Sequence, residues 1–291
     1  MKKEKKKKSN FSTVLLVVIL FIGLSLLLYP TVSDYWNSFT QSRAIANYSE
    51  QVADMDENKY EEVWNAAVKY NEILKNRQNI YKLEEGELVE YNDQLNVSGS
   101  GIMGYIEIPS ISCSLPIYHS TNDAVLQVAV GHIEWSSLPV GGVGTHCVLS
   151  GHRGLPSAKL FTDLDKLTEG DIFIMRVLDE VLTYEVDRIL IVQPHETEAL
   201  NAIEGEDYCT LITCTPYGIN SHRLLVRGHR IDNIPETKVI RITSDALQIE
   251  PLLVAPLAAA PVLLVLLIIV MLPKKKKPHY NGELKSEEYE E

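Results

Sequence analysis

Two long apolar stretches lie near the ends of the chain and enclose a more polar middle. Residues 11–29 are almost wholly apolar, and residues 252–272 carry no charged side chain. Each stretch is close to the roughly 20 residues that an α-helix needs to cross a bilayer. The pattern therefore predicts two transmembrane helices, with residues 30–251 between them on one side of the membrane.

Lysine clusters flank both apolar stretches and orient them. Lysines fill most of residues 1–10, and four more follow the second stretch at the start of residues 273–291. Because lysine-rich flanks mark the cytoplasmic side, we expect two cytoplasmic tails and an extracellular middle. The first stretch could instead be a cleaved signal peptide, but no small-x-small cleavage site follows it, which favours a signal anchor.

A helical pattern fills most of the first extracellular segment, residues 30–77. From residue 42 onward apolar side chains recur at steps of three and four, which places them on one face of a helix. Asp56 and Asn58 interrupt the pattern, so we predict two helices joined by a short turn. The apolar positions are Ile45, Tyr48, Val52, Met55, Tyr60, Val63, Ala67, Tyr70 and Leu74.

The pattern of apolar and polar residues changes again at residue 78 and at residue 102. Residues 78–101 are polar and acidic and end in a Gly- and Ser-containing run, which predicts a lid-like segment and a linker. Residues 102–235 contain short β-branched and aromatic runs separated by turn residues, which predicts a closed sheet or barrel. Residues 236–251 then form a linker to the second span.

Seven runs in residues 102–235 have the composition of strands. Two segments between them, Asp123–His132 and Ala158–Leu167, are predicted to be short helices. The strand runs are Met103–Ile108, Leu115–Tyr118, Thr145–Leu149, Ile172–Val177, Leu182–Leu190, Cys209–Thr213 and Arg223–Arg230.

The net charge restricts the class of partner, and the cysteine content raises the question of disulfide bonds. The formal net charge is -12 despite the terminal lysines, which argues against a nucleic-acid partner. Cys147 lies five residues before His152, and Cys209 lies five residues before Cys214. Cys147 and Cys209 would therefore approach each other if their strands were neighbours. The alternative is that Cys147 and Cys209, like Cys113, are small buried hydrophobes. The sequence shows no metal-ligand cluster and implies no cofactor.

One thiol stands out because of where it lies. Cys214 ends an apolar strand and precedes a turn, a position at which a scaffold presents reactive groups. A thiol can attack a peptide carbonyl and pass the acyl group to an amine. Arg223, nine residues later, cannot lose its proton at ordinary pH and suits an oxyanion or a substrate carbonyl. His152 follows another strand and enters a glycine-containing loop, whereas His222 and His229 lie nearer Cys214 in sequence, so the residues alone leave the choice of acid/base open among these histidines.

These residues, with their surroundings, resemble the sortases, the Gram-positive cell-surface transpeptidases. The resemblance covers about residues 100–232 and is close along Ser150–Pro156 and Thr210–Arg230. The two apolar spans and the helical extension are similar to class C, the pilus-assembling group. The resemblance implies a mainly β fold with an eight-stranded barrel. It also implies that Cys214 is the nucleophile, His152 the general acid/base and Arg223 the stabilising cation.

The resemblance also implies a substrate and a location. The expected substrate is a pilin with an LPXTG-like sorting signal, cleaved between Thr and Gly and then joined through a lysine of the next pilin. The enzyme would lie in the cell membrane with its catalytic domain outside. The alternatives are a housekeeping sortase that attaches proteins to cell-wall precursor, a thiol hydrolase, and a membrane-tethered binding module without enzymatic activity.

The lid departs from the class C pattern. Lids of this group carry an Asp-Pro-aromatic motif that covers the catalytic cysteine, whereas residues 78–97 contain no proline. Tyr81 is the aromatic candidate to replace that motif. We therefore predict a lid that is held less tightly than is usual in this group.

Overall fold

The structure, a computed structural model, describes residues 11–75 and 81–233. The chain divides into two compact units, and the boundary falls between Leu28 and Tyr29. Several predicted segments lie outside the described residues, namely the N-terminal tail 1–10, the linker 236–251, the second span 252–272 and the C-terminal tail 273–291.

The N-terminal helix is longer than the sequence predicts. Helix α1 runs without a break over Phe11–Ala53, through Pro30. We expected a span over 11–29 and a separate helix from residue 42, so the division between them is wrong. Proline in a helix removes one backbone hydrogen bond but is tolerated in membrane spans. Within the described part of the chain, α1 is the one helix long and apolar enough to cross a membrane.

Helix α2, Glu57–Lys75, follows a short turn. The predicted break at Asp56 is confirmed, and its side chain accepts a hydrogen bond of 2.9 Å from the backbone N–H of Lys59. This contact satisfies a backbone donor in the first turn of α2, as N-terminal caps do.

Helix α3, Glu85–Asp93, lies in the segment that the sequence assigns to the lid and linker. Its first turn is closed by a capping box between Glu84 and Glu87. Tyr91 and Leu95 are almost fully buried and join the core of the barrel. The sequence did not reveal α3, because it is short and most of its surface is acidic.

Eight strands form a closed barrel in the order β1-β2-β3-β4-β7-β8-β6-β5. All seven predicted strands are confirmed, six with slightly longer bounds and Ile172–Val177 with the bounds predicted. The eighth, β3, lies inside the helix predicted over Asp123–His132, of which only α4 (Asp123–Leu126) is helical. The strands are β1 (Ile102–Ile108), β2 (Cys113–His119), β3 (Val130–His132), β4 (Thr145–Ser150), β5 (Ile172–Val177), β6 (Glu180–Val192), β7 (Asp207–Thr215) and β8 (His222–Ile231).

The helix predicted over Ala158–Leu167 is not an α-helix. This segment of the β4–β5 connection forms turns and a single 3-10 turn at Leu164–Lys166. Its apolar side chains Phe161 and Leu164 are fully buried in the barrel core. The spacing of these apolar residues is that of a helix, but here an irregular loop buries them.

Alternate residues of β4, β7 and β8 face two different apolar clusters. On β4 and β7, Leu149 and Leu211 face the barrel interior, whereas Val148 and Ile212 belong to a separate cluster on the outer face. We call the second group the outer cluster. Its buried members are Val148, Leu200, Ile212 and Leu225.

Candidate active site

Parallel pairing of β4 and β7 brings the candidate base next to the candidate nucleophile. The last registered pair is Ser150 with Ile212. The contact continues beyond β4, because the Gly151 N–H donates to the Ile212 carbonyl at 3.0 Å. The Thr213 hydroxyl donates to the Gly151 carbonyl at 2.8 Å. Extension of this register by two residues beyond the Ser150–Ile212 pair places His152 beside Cys214.

Antiparallel pairing of β7 and β8 adds the cation. Cys214 lies directly opposite Arg223, and residues opposite each other in such a pair have side chains on the same face. The Arg223 guanidinium donates from Nη1 to the carbonyl of His222 at 3.1 Å, at the start of β8. The three residues predicted from the sequence therefore converge at one end of three neighbouring strands.

The competing histidines are placed less favourably. His222 is paired with Thr215, one position away from the Cys214 pair, and adjacent residues of a strand point to opposite faces. His229 is paired with Tyr208, six positions before Cys214 on β7. At about 3.3 Å per residue this is roughly 20 Å away.

Cys214 also differs from the other three cysteines in exposure. It is partly exposed, whereas Cys113, Cys147 and Cys209 are buried. Burial raises the pKa of Cys113 to about 12, and a thiol in that state is a poor nucleophile because the thiolate is the reactive form. Cys214 is thus the cysteine that a substrate can reach.

Arg153 is a residue of the site that the sequence analysis missed. Its Nη2 pairs with Asp165, its Nη1 reaches the Thr215 hydroxyl at 3.5 Å, and its guanidinium lies 5.8 Å from the ring centre of Tyr217. The ring of Tyr217 also covers Gly154, where an added Cβ would lie 2.7 Å from it. These contacts join the loop after His152 to the loop after Cys214.

The outer cluster continues from the candidate catalytic residues. By strand alternation, Cys214 faces the same side as Ile212, and Arg223 faces the same side as Leu225. A small pocket on this side is lined by Arg188, Leu190, Ala199, Thr210, Leu225 and Arg227. A buried apolar cluster therefore lies on the same side of the strands as the thiol.

Tyr81 packs beside the outer cluster rather than at Cys214. Its ring packs edge-on against Trp135 at 5.2 Å, and its hydroxyl donates to Asn201 Oδ1 at 2.7 Å. The backbone carbonyl of Asn201 contacts Nδ1 of His146, near the start of β4. The structure therefore does not bring Tyr81 to Cys214, which lies near the end of β7.

The position of α2 explains where Tyr81 lies. Asn71 on α2 hydrogen-bonds the backbone of Leu138 through both its side-chain atoms. Lys75, at the end of α2, donates to the Val143 carbonyl at 2.7 Å, two residues before β4 begins. The chain therefore leaves α2 near the start of β4, at the end of that strand opposite to His152.

Comparisons with known proteins agree with this arrangement. The sequence profile of the sortase domain matches residues 106–231. The crystal structure of sortase C1 from Streptococcus agalactiae is 50% identical, with a TM-score of 0.65, and covers 66% of this chain and 100% of that one. A Streptococcus pneumoniae sortase C is 43% identical, with a TM-score of 0.58 and coverage of 66% and 99%.

A relative of lower sequence identity is also a sortase. Sortase A of Bacillus anthracis is 29% identical over 147 residues, which are 50% of this chain and 68% of that protein. The predicted fold, an eight-stranded barrel with an N-terminal helix, is confirmed. The chain belongs to the sortase family of cysteine transpeptidases, and its similar solved structures at 40–50% identity include class C sortases.

Proposed function

We propose that this protein is a pilus-assembling sortase in which Cys214 is the nucleophile, His152 the general acid/base and Arg223 the oxyanion-stabilising cation. The observation that carries the proposal is the convergence of the three residues. Cys214 and Arg223 form one cross-strand pair, and His152 follows the strand that runs parallel to β7.

The reaction follows from the chemistry of these groups. The Cys214 sulfur attacks the Thr carbonyl carbon of an LPXTG-like sorting signal, and Arg223 stabilises the negative charge that develops on the carbonyl oxygen. His152 gives a proton to the departing Gly nitrogen, which leaves a thioester on Cys214. A lysine amine of the next pilin then attacks the thioester, loses a proton to His152 and forms an isopeptide bond.

The partly buried side chains that pack on the outer cluster are the proposed site for the apolar part of the sorting signal, because the cluster itself, Val148, Leu200, Ile212 and Leu225, is at most 7% exposed. They are Ile133, Trp135, Leu190, Val192 and Ala199. A Leu-Pro segment bound there would present the following Thr carbonyl to the thiol. Apolar surface of this kind supplies binding energy in proportion to the area that the ligand removes from water.

Pilin is the proposed substrate because of the class C similarity. The S. pneumoniae relative is a sortase C analysed for catalysis and pilin substrate specificity, and another relative is sortase C1 of a streptococcal pilus island. A housekeeping role is the second candidate, since the B. anthracis relative is a sortase A. The two roles differ in the amine that resolves the thioester.

The proposed location is the cell membrane, with the barrel outside. Helix α1 provides an N-terminal segment that could span a bilayer. The second span over residues 252–272 and the cytoplasmic position of both termini are parts of the same proposal, supported by the apolar stretch and its lysine flanks.

The test is the mass of the full chain, purified in detergent, after incubation with an LPXTG-type peptide. We expect an adduct equal to the acyl part of the peptide, retained by Cys113→Ala and absent from Cys214→Ala. Addition of a lysine-containing pilin peptide should then release an amide-linked product. An adduct on Cys214→Ala would refute the assigned nucleophile, and release to a cell-wall-type amine but not to lysine would favour the housekeeping role.

A further inference from the structure

Two cysteines outside the proposed catalytic residues face each other in the barrel core. Cys147 on β4 is registered directly opposite Cys209 on β7. Both side chains are almost fully buried, with exposed fractions of 2% and 0%, and both belong to the interior cluster. They lie on the same face of the sheet, because both alternate with residues of the outer cluster.

The two thiols affect each other's protonation in the folded barrel. Burial raises the pKa of Cys209 well above its ordinary value. Burial also acts to raise the pKa of Cys147, but its interactions with Cys209 and His132 outweigh it and lower that pKa.

The spacing of the strands permits a covalent bond. Neighbouring strands lie about 4.7–4.9 Å apart, and a disulfide joins residues whose Cα atoms are about 4.4–6.8 Å apart. We propose that Cys147 and Cys209 form a disulfide when the barrel folds outside the cell, and that this bond ties together the two strands that end at His152 and Cys214. The inference rests on the extracellular location proposed above.

The oxidant is a low-molecular-weight disulfide, RSSR, in the external medium. One of the two cysteines, as a thiolate, attacks one of its sulfur atoms and releases one RS⁻. The other cysteine then loses its proton and attacks the protein sulfur of the mixed disulfide, which releases the second RS⁻. Two protein thiols are oxidised and one RSSR is reduced to two RSH. Because both cysteines are buried in the finished barrel, the exchange occurs before the barrel closes.

The position of the bond gives it a consequence for the active site. His152 lies five residues after Cys147, and Cys214 lies five residues after Cys209. Since β4 and β7 are parallel, a cross-link between these cysteines fixes the register that brings the imidazole beside the thiol. It also closes a loop of roughly 60 residues, which stabilises the fold by constraining the unfolded chain.

The experiment counts thiols in the full chain. Cells producing the protein are grown with hydroxyethyl disulfide, and all free thiols are trapped with N-ethylmaleimide in denaturant at harvest. We expect two of the four cysteines to be labelled before reduction, Cys113 and Cys214, and two more after reduction. Digestion should yield a cross-linked peptide pair containing Cys147 and Cys209. Labelling of all four before reduction would overturn the proposal.

Matched variants separate this pair from other cysteines. Cys113→Ser removes another buried cysteine outside the pair and should keep the cross-link, whereas Cys147→Ser should lose it and leave Cys209 free to react. Cys214→Ala should also keep it, so a failure of the catalytic assignment would not affect this result. The oxidised chain should unfold at a temperature roughly 5 to 15 °C higher than the same chain produced with reductant. Equal unfolding temperatures would contradict the proposed role of the bond.

Discussion

Arg223 depends on the shape of its side chain as well as on its charge. A guanidinium is planar and offers several N–H donors in fixed directions, whereas an ammonium is a compact point charge. We expect Arg223→Lys to reduce the rate of thioester formation by roughly a hundredfold or more, with little change in unfolding temperature. Single-turnover mass spectrometry with the sorting peptide measures this rate.

Arg43→Lys is the matched control for that substitution. Arg43 lies on α1 with its guanidinium 5.3 Å from the ring centre of Phe39, so its replacement should leave the rate unchanged. A near-normal rate for Arg223→Lys would remove Arg223 from the proposed mechanism.

His146 gives the fold a dependence on pH. Its Nε2 lies 2.7 Å from the Thr210 hydroxyl and its Nδ1 lies 3.0 Å from the Asn201 carbonyl. Burial lowers its pKa, and nearby Arg227 lowers it further, although the Asn201 hydrogen bond and Asp187 oppose the change. The unfolded chain therefore takes up the proton first as the pH falls, and the fold loses stability as the pH falls below about 6.5, the ordinary pKa of histidine.

The measurement is the unfolding temperature between pH 7.5 and pH 5. We expect His146→Asn to show a shallower loss of stability toward acid pH than the unchanged chain. His195→Asn is the control, because His195 is exposed on the β6–β7 connection. Equal slopes for all three proteins would show that His146 does not govern this dependence.

The segment before α3 is the element in which we expect the lid. Tyr81 contacts Trp135 in the β3–β4 connection and Asn201 in the β6–β7 connection. We expect Tyr81→Ala to increase the rate of adduct formation several-fold, because Trp135, one of the proposed peptide contacts, is then uncovered. Tyr81→Phe, which keeps the ring and loses the Asn201 hydrogen bond, should give a smaller increase.

Hydrogen exchange tests how tightly the same segment is held. The expected loose lid should exchange quickly around Tyr81, whereas α3 should be protected because Tyr91 bonds His132 and the backbone N–H of Ser120. Strong protection around Tyr81, or an unchanged rate for Tyr81→Ala, would contradict a lid at this position.

At the scale of the whole molecule, the proposed topology makes a simple prediction. Protease added to intact protoplasts should degrade the extracellular barrel and leave an epitope tag at the C-terminus protected, because both termini are expected in the cytoplasm. Detergent lysis should then expose the tag. A tag that is lost from intact protoplasts would show that the chain crosses the membrane once.

Local patterns were sufficient to predict much of this protein. The strand runs from Met103 to Arg230 are rich in β-branched and aromatic residues and are bounded by turn residues, and seven of the eight strands follow from that composition. The motif around Cys214 also identifies the family, because a thiol at a strand end, a histidine after another strand and an arginine on the next one are local features of the sequence. Strand runs and short motifs can be recognised because each depends only on residues that are close together in the sequence.

Only the tertiary structure decided which distant residues meet. Strand β3 is three residues long, so pairing with β2 and β4 creates it, and its sequence alone reads as the end of a helix. Tyr81 lies on Trp135 because α2 ends near the start of β4, and Cys147 faces Cys209 because β4 and β7 are parallel and in register. The sequence determined what each segment is, whereas strand order and register, which depend on long-range contacts, determined what each segment touches.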